Sequence, residues 1–393
     1  MIQPKVYHGH SRPLSIPGSE NVGEFKRPSD SYHRSSILNS VLHLNIGLFF
    51  LRRLISAPRP INVSRRWYTI SVKYLYQSVG SDKQEIAEAL YRALEANPQT
   101  AAMVQRLHLG IECNSQSYDE QIRTNTNILK LCPNVKHVEI CGFDGYDVSK
   151  VNALVDVLKT KSLVSFCISQ RDIGSFSPSG GIRFSQLRDM MQKWPKLRSI
   201  QVERVPSYET AEDPQTLAST QIYGCCRDLR EIVIYRAHLH ASEYSILRAI
   251  LRAWSPTLEY LKIDVYVEEY IDSYRPLDEA IAALRELRQL QIGRMKLDLG
   301  FISTLPRLER FACLSQFTEE EIQLLSTYLK DSKKFLSLTH VVLSLAEDAQ
   351  LSERLQDICR GRNIQLHEYE LDSEGWIEVC PIIDVFSGPV DWH

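Results

Sequence analysis

One short pattern returns nine times between residues 104 and 343, and it restricts the fold more than any other feature of the chain. The template is an aliphatic residue, two polar residues, an apolar residue, one variable residue and a second apolar residue. VQRLHL (104–109), VKHVEI (135–140) and LVSFCI (163–168) fill it first, then LRSIQV (197–202), LREIVI (229–234) and LEYLKI (258–263). LRQLQI (287–292), LERFAC (308–313) and LTHVVL (338–343) complete the series, and NIQLHEYEL (363–371) holds a degenerate further copy. Residues two apart in a strand lie on one face, so the paired apolar positions of each copy, Leu107 with Leu109 or Leu261 with Ile263, enter a common core. Between copies the spacing turns helical, as in VSKVNALVDVLKT (148–160), SEYSILRAILRAW (242–254), LDEAIAALREL (277–287) and TEEEIQLLSTYLKD (318–331). A single strand–helix unit cannot bury its apolar face alone, whereas stacked units share one continuous core. The expectation is an α/β solenoid with parallel strands on the concave face and helices on the convex face.

The repeat length and the L-x-x-L-x-L centre resemble the leucine-rich repeat. The resemblance covers roughly residues 100–371. The position after each strand lacks the regular Asn or Cys of many such repeats, which predicts a distorted, gently curved array.

Upstream, SDKQEIAEALYRALEANP reads as an amphipathic helix, capped by Ser81 or Asp82 and stopped at Asn97-Pro98. Before it, VSRRWYTISVKYLYQSV (63–79) carries apolar residues at helical spacing through Tyr76. Val63, Arg65, Arg66, Trp67, Leu75 and Tyr76 resemble the C-terminal half of an F-box, and the order of parts resembles the F-box/leucine-rich-repeat proteins, particularly the divergent ones common in fungi. The family's opening Leu-Pro pair and acidic residue have no counterpart in residues 35–60. The resemblance implies a non-catalytic substrate adaptor of an SCF-type ubiquitin ligase. Val63, Arg66, Trp67, Leu75 and Tyr76 would dock a Skp-type linker, and the repeats would hold a protein substrate. The other reading is a repeat scaffold with no ligase. The expected division is a disordered tail over 1–34, an F-box-like helical domain over 35–80, the solenoid over 81–371 and a C-terminal cap and tail over 372–393.

Chemistry is sparse. The sequence holds no P-loop, nucleophile elbow, zincin or dinucleotide fingerprint, so no enzyme activity, cofactor or metal is expected. His238 and His240 lack further ligands nearby in sequence, Gly180-Gly181 reads as a turn, and the acidic string 267–279 reads as a solvated loop. A net charge of −2 without a Lys/Arg run argues against nucleic acid. The apolar stretch 37–55 is interrupted by polar residues, which argues against a membrane span, and the start of the chain carries no signal-peptide pattern. Nine irregularly spaced cysteines, mostly inside apolar strings, read as buried thiols of a reducing compartment, cytoplasmic or nuclear. In a solenoid the working surface is the strand face opposite the core. Arg106, His108, His137, Glu139, Gln201, Glu203, Glu231, Tyr235, Tyr260, Lys262, Asp264, Gln289, Gln291, Arg310 and His340 fall there by alternation. His137, Gln201, Tyr235, Tyr260, Lys262, Gln289 and Arg310 are the candidate target-binding residues, with the two tyrosines as anchors.

Overall fold

A computed structural model of the chain describes residues 74–111, 118–142, 148–169, 184–203, 226–238, 241–266, 277–293, 295, 297–345 and 349–368. The expectations for the N-terminal tail, the 35–56 stretch, Val63, Arg65, Arg66, Trp67, Gly180-Gly181, His240, most of the acidic string and the C-terminal cap lie outside the described residues.

Among the described residues eleven strands form one parallel sheet, ordered as they occur in the chain. They are β1 (Ser78–Ser81), β2 (Arg106–Gly110), β3 (His137–Cys141), β4 (Ser165–Ser169), β5 (Ser199–Glu203) and β6 (Glu231–His238). β7 (Tyr260–Tyr266), β8 (Gln289–Gly293), β9 (Arg310–Phe317), β10 (His340–Leu345) and β11 (Gln365–Glu368) follow. Every copy of the template supplies one strand, the degenerate copy supplies β11, and β1 precedes them all. The arrangement is solenoid-like: each strand pairs with the strands of the preceding and following units.

The registry follows the template. Leu107 lies beside Val138, Val138 beside Phe166, and the alignment continues through Ile200, Ile232, Leu261, Leu290, Phe311 and Val341. These residues, the apolar residue two further on, and the leading aliphatic residue of each copy are all buried in one cluster with the helices. A backbone ladder locks the register. The carbonyl of the second template residue accepts from two successive amides of the next unit: Lys136 and His137 bond to Gln105 O at 2.8 and 3.0 Å, and Arg230 and Glu231 to Arg198 O at 2.8 and 3.0 Å. Forked acceptance of this kind spends one carbonyl on two donors that would otherwise be orphaned at the strand entrance.

The described helices are α1 (Gln84–Ala96), α2 (Pro98–Met103), α3 (Tyr118–Leu131), α4 (Val148–Lys159), α5 (Phe184–Met191), α6 (Ala241–Trp254), α7 (Asp278–Ala282), α8 (Leu299–Ile302), α9 (Glu319–Lys330) and α10 (Ala349–Gly361). Repeat length sets helix length: the unit between LRQLQI and LERFAC, the shortest, has room only for the four residues of α8. Thr318 and Glu321 close a reciprocal capping box on α9.

Three expectations need correction. Neither Ser81 nor Asp82 caps α1: Ser81 belongs to β1, the N-cap is Lys83 without a side-chain bond, and Asp82 is drawn to His108 instead. Helix gives way to strand at Ser78, before the expected start of the array at 81, because Val79 pairs with Leu107. At the end of the acidic string, Asp278 and Glu279 open α7 within the stretch expected to be helical, so the solvated-loop reading fails for these two residues. Asp278 is buried and accepts the Asp298 amide at 3.3 Å, and Glu279 meets Arg252 at 3.1 Å.

Of the cysteines, those at 132, 141, 226, 313 and 359 are buried, and Cys167 is half-buried. Among the described residues no helix is long and apolar enough to cross a membrane.

Candidate binding face of the sheet

Side chains alternating with the core positions form rows across the other face of the sheet. Arg106, His137, Ser165, Ser199, Glu231, Tyr260, Gln289, Arg310 and His340 share the first row, in unbroken register. His108, Glu139, Cys167, Gln201, Val233, Lys262 and Gln291 make the second row. In the backbone register Tyr235 pairs with Glu203. Six of the seven candidates chosen from sequence therefore occupy one face, four in the first row and two in the second, while the side chain of Tyr235 lies outside what the structure describes.

The middle of this face is less open than alternation suggests. Lys262 is 6% exposed and Gln291 2%, and Val233, Ala312 and Val342 are buried without belonging to the main core. Lys262 sits between Val233 and Gln291 across the sheet and between Tyr260 and Asp264 along its strand. Burial pushes its ammonium down to about 8, against the pull of Asp264. Burial raises the Tyr260 phenol, with Glu231 adding to the effect, and raises Glu231 itself against the Ser199 hydrogen bond. Gln291 Oε1 has no hydrogen-bond partner among the described residues. This is a dry polar seam, where an added donor would gain a full bond.

A second cluster lies at the N-terminal end. His108 Nε2 is 2.9 Å from Asp82 Oδ1, and its Nδ1 is 3.1 Å from Glu139 Oε2. Cys141, two residues on along β3, donates its thiol to Glu139 Oε1 at 3.6 Å. Burial opposes a charge on the ring, but the hydrogen bonds to Asp82 and Glu139 outweigh it and hold His108 at about 9. His137, one strand away, is driven the other way, to about 4, by burial first and then by Arg106 and Lys136. Neighbouring histidines are thus pushed in opposite directions, one up by its two carboxylates and the other down by burial and then by nearby cations.

Two glycines shape this cluster. A Cβ on Gly80 would lie 3.0 Å from His108 Cβ, so the imidazole occupies space that any other residue would take. A Cβ on Gly110 would lie 2.6 Å from Asp82 Cα, so the chain carrying Asp82 can cross β2 only at a glycine. Asp82 and Cys141 are the members that sequence reasoning passed over. Asp82 stands outside the strand template, and Cys141 looks like one more apolar filler.

Of the linker-docking candidates, Leu75 and Tyr76 lie in a helical segment over 74–77. Both are half-buried, and Tyr76 packs against the core of the first units.

No protein-family model matches the chain, and no curated protein matches it at a significant level.

Proposed function

We propose that the chain is a leucine-rich-repeat substrate adaptor. Its strand face captures a protein target, and the segment around Val63, Arg66, Trp67, Leu75 and Tyr76 docks a Skp-type linker of an SCF ubiquitin ligase. The observation that carries the reading is the row structure of the sheet. Unlike polar and aromatic side chains, one per unit, are held in register across eleven strands, a surface that can recognise an extended target residue by residue. On this reading the chain does no covalent chemistry and works in the cytoplasm or nucleus.

The second reading, a repeat scaffold without ligase association, rests on the missing Leu-Pro and acidic opening of the F-box pattern. Co-purification of the full chain with a Skp-family linker separates the two. The adaptor reading expects a complex that Trp67→Ala and Leu75→Ala weaken; failure of the intact chain to bind any Skp-family linker leaves the scaffold.

A further inference from the structure

The cluster at the N-terminal end of the face has the composition and geometry of a metal site. His108, Glu139 and Cys141 each offer one ligand atom, and all of these lie within 4.8 Å of one another. Nδ1 lies 3.1 Å from Glu139 Oε2 and Sγ lies 3.6 Å from the other carboxylate oxygen, Oε1, so both groups approach Glu139 at spacings similar to the edges of a zinc tetrahedron. Those edges are about 3.3–3.7 Å for bonds of roughly 2.0–2.3 Å. Register builds the set: His108 and Glu139 are paired across β2 and β3, and Cys141 follows Glu139 on the same face of β3. Asp82 takes the far ring nitrogen, Nε2, which is how outer carboxylates fix the orientation of a ligating imidazole. Gly80 and Gly110 leave the room that this arrangement requires.

We propose that His108 Nδ1, the Glu139 carboxylate and Cys141 Sγ bind a divalent transition metal of the zinc type, with Asp82 as the positioning residue and water in the fourth position. A thiolate beside an imidazole selects zinc or cobalt over magnesium and calcium, which prefer all-oxygen shells. Binding releases to solvent the thiol proton and whatever proton Nδ1 carries, and no electron is transferred. Glu139 is 40% exposed on its side chain, so the site opens to solvent on that side. The ion ties β2 to β3 near the start of the array, and its fourth position faces the same surface as the target-binding rows.

The test is a cobalt titration of the full chain. One equivalent of Co²⁺ gives a thiolate-to-cobalt charge-transfer band in the near ultraviolet, which Zn²⁺ abolishes and Mg²⁺ does not. Cys141→Ser removes the band, and His108→Ala lowers the affinity at least tenfold. Asp82→Asn keeps the band and lowers the affinity about 10–100-fold, as expected for an outer-shell carboxylate. Circular dichroism establishes that each variant is folded. A band unchanged in folded Cys141→Ser, or no band at all in the intact chain, overturns the site. If Cys141→Ser does not fold, unchanged cobalt affinity in both His108→Ala and Glu139→Gln overturns it equally. None of these readouts involves a ligase component, so the site and the adaptor reading stand or fall separately.

Discussion

Lys262 carries an ammonium into the middle of a parallel sheet, where solvation is poor and Asp264 offers only partial relief. The folded-state value near 8 lies below the ordinary 10.5, so the fold disfavours the charged form. That penalty is present in full below pH 8 and is relieved as pH rises towards 10.5, because only the unfolded chain still binds the proton in that window. The difference corresponds to about 3 kcal/mol. Lys262→Met removes it, so the stability gap between variant and parent should shrink by that order between pH 7.5 and 10.5. Denaturant melts of both proteins across the window check this; a gap independent of pH would mean that the ammonium is solvated. The residue also shows what sequence hides. Alternation placed Lys262 on the correct face, but alternation carries no information on depth. Asp82 was hidden for a different reason: it reaches His108 through two glycines whose role is to leave space, and an empty space has no signature in spacing.

A recurring device joins one repeat to the next. In several units a residue that precedes the next strand sends a side-chain donor back to the carbonyl end of the helix one unit earlier, where backbone acceptors would otherwise be unpaired. Lys161 Nζ reaches Cys132 O at 3.0 Å, just past α3, and Trp194 Nε1 reaches Leu158 O, in the last turn of α4, at 3.0 Å. The Cys226 thiol donates to Met191 O at the end of α5, at 3.1 Å. Arg362 ends the series with bonds to Leu329 O in α9, at 2.9 Å, and to Lys334 O and Phe335 O, at 3.2 and 3.1 Å. Lys, Trp, Cys and Arg share no sequence signature, so the device escapes a search for repeated letters although it repeats in space. β1 escapes for a related reason: SVGS offers a single apolar residue, and the template needs three. The strands from β2 to β10 were legible because burial on one face forces alternation. At the C-terminal end, Arg362→Ala should cost about 2 kcal/mol, the scale of hydrogen bonds from a charged donor. Arg362→Lys should restore only part of this, since a point charge cannot reach three carbonyls as a planar fork does. Hydrogen exchange reads the result: the β11 amides, including Gln365 on Thr339 O, lose protection while those of β3 to β6 keep theirs.

Across the whole molecule, each unit touches chiefly its neighbours, so stability is a sum of local terms and nearest-neighbour interfaces rather than one indivisible quantity. The most informative interface is the one around Trp194. Its side chain is fully buried, its ring lies 5.1 Å from that of Phe166 in β4, and its indole bonds to α4, so one residue joins two units near the centre. Trp194→Ala should cost about 3–5 kcal/mol, through the lost apolar area and the cavity it leaves. In a globular core that cost would be shared by the whole cooperative unit, and every amide would lose protection together. In an array it weakens one coupling between two otherwise intact stretches. The expected outcome is exchange that accelerates most in β4 and β5 and recovers towards β1 and β11. A urea transition that broadens, with a lower apparent m value, should accompany it as the two sides begin to unfold independently. A uniform loss of protection with a single sharp transition would show that the coupling between units exceeds their intrinsic instability. The eleven strands would then behave as one body, and a target bound at any row would be felt at both ends of the sheet.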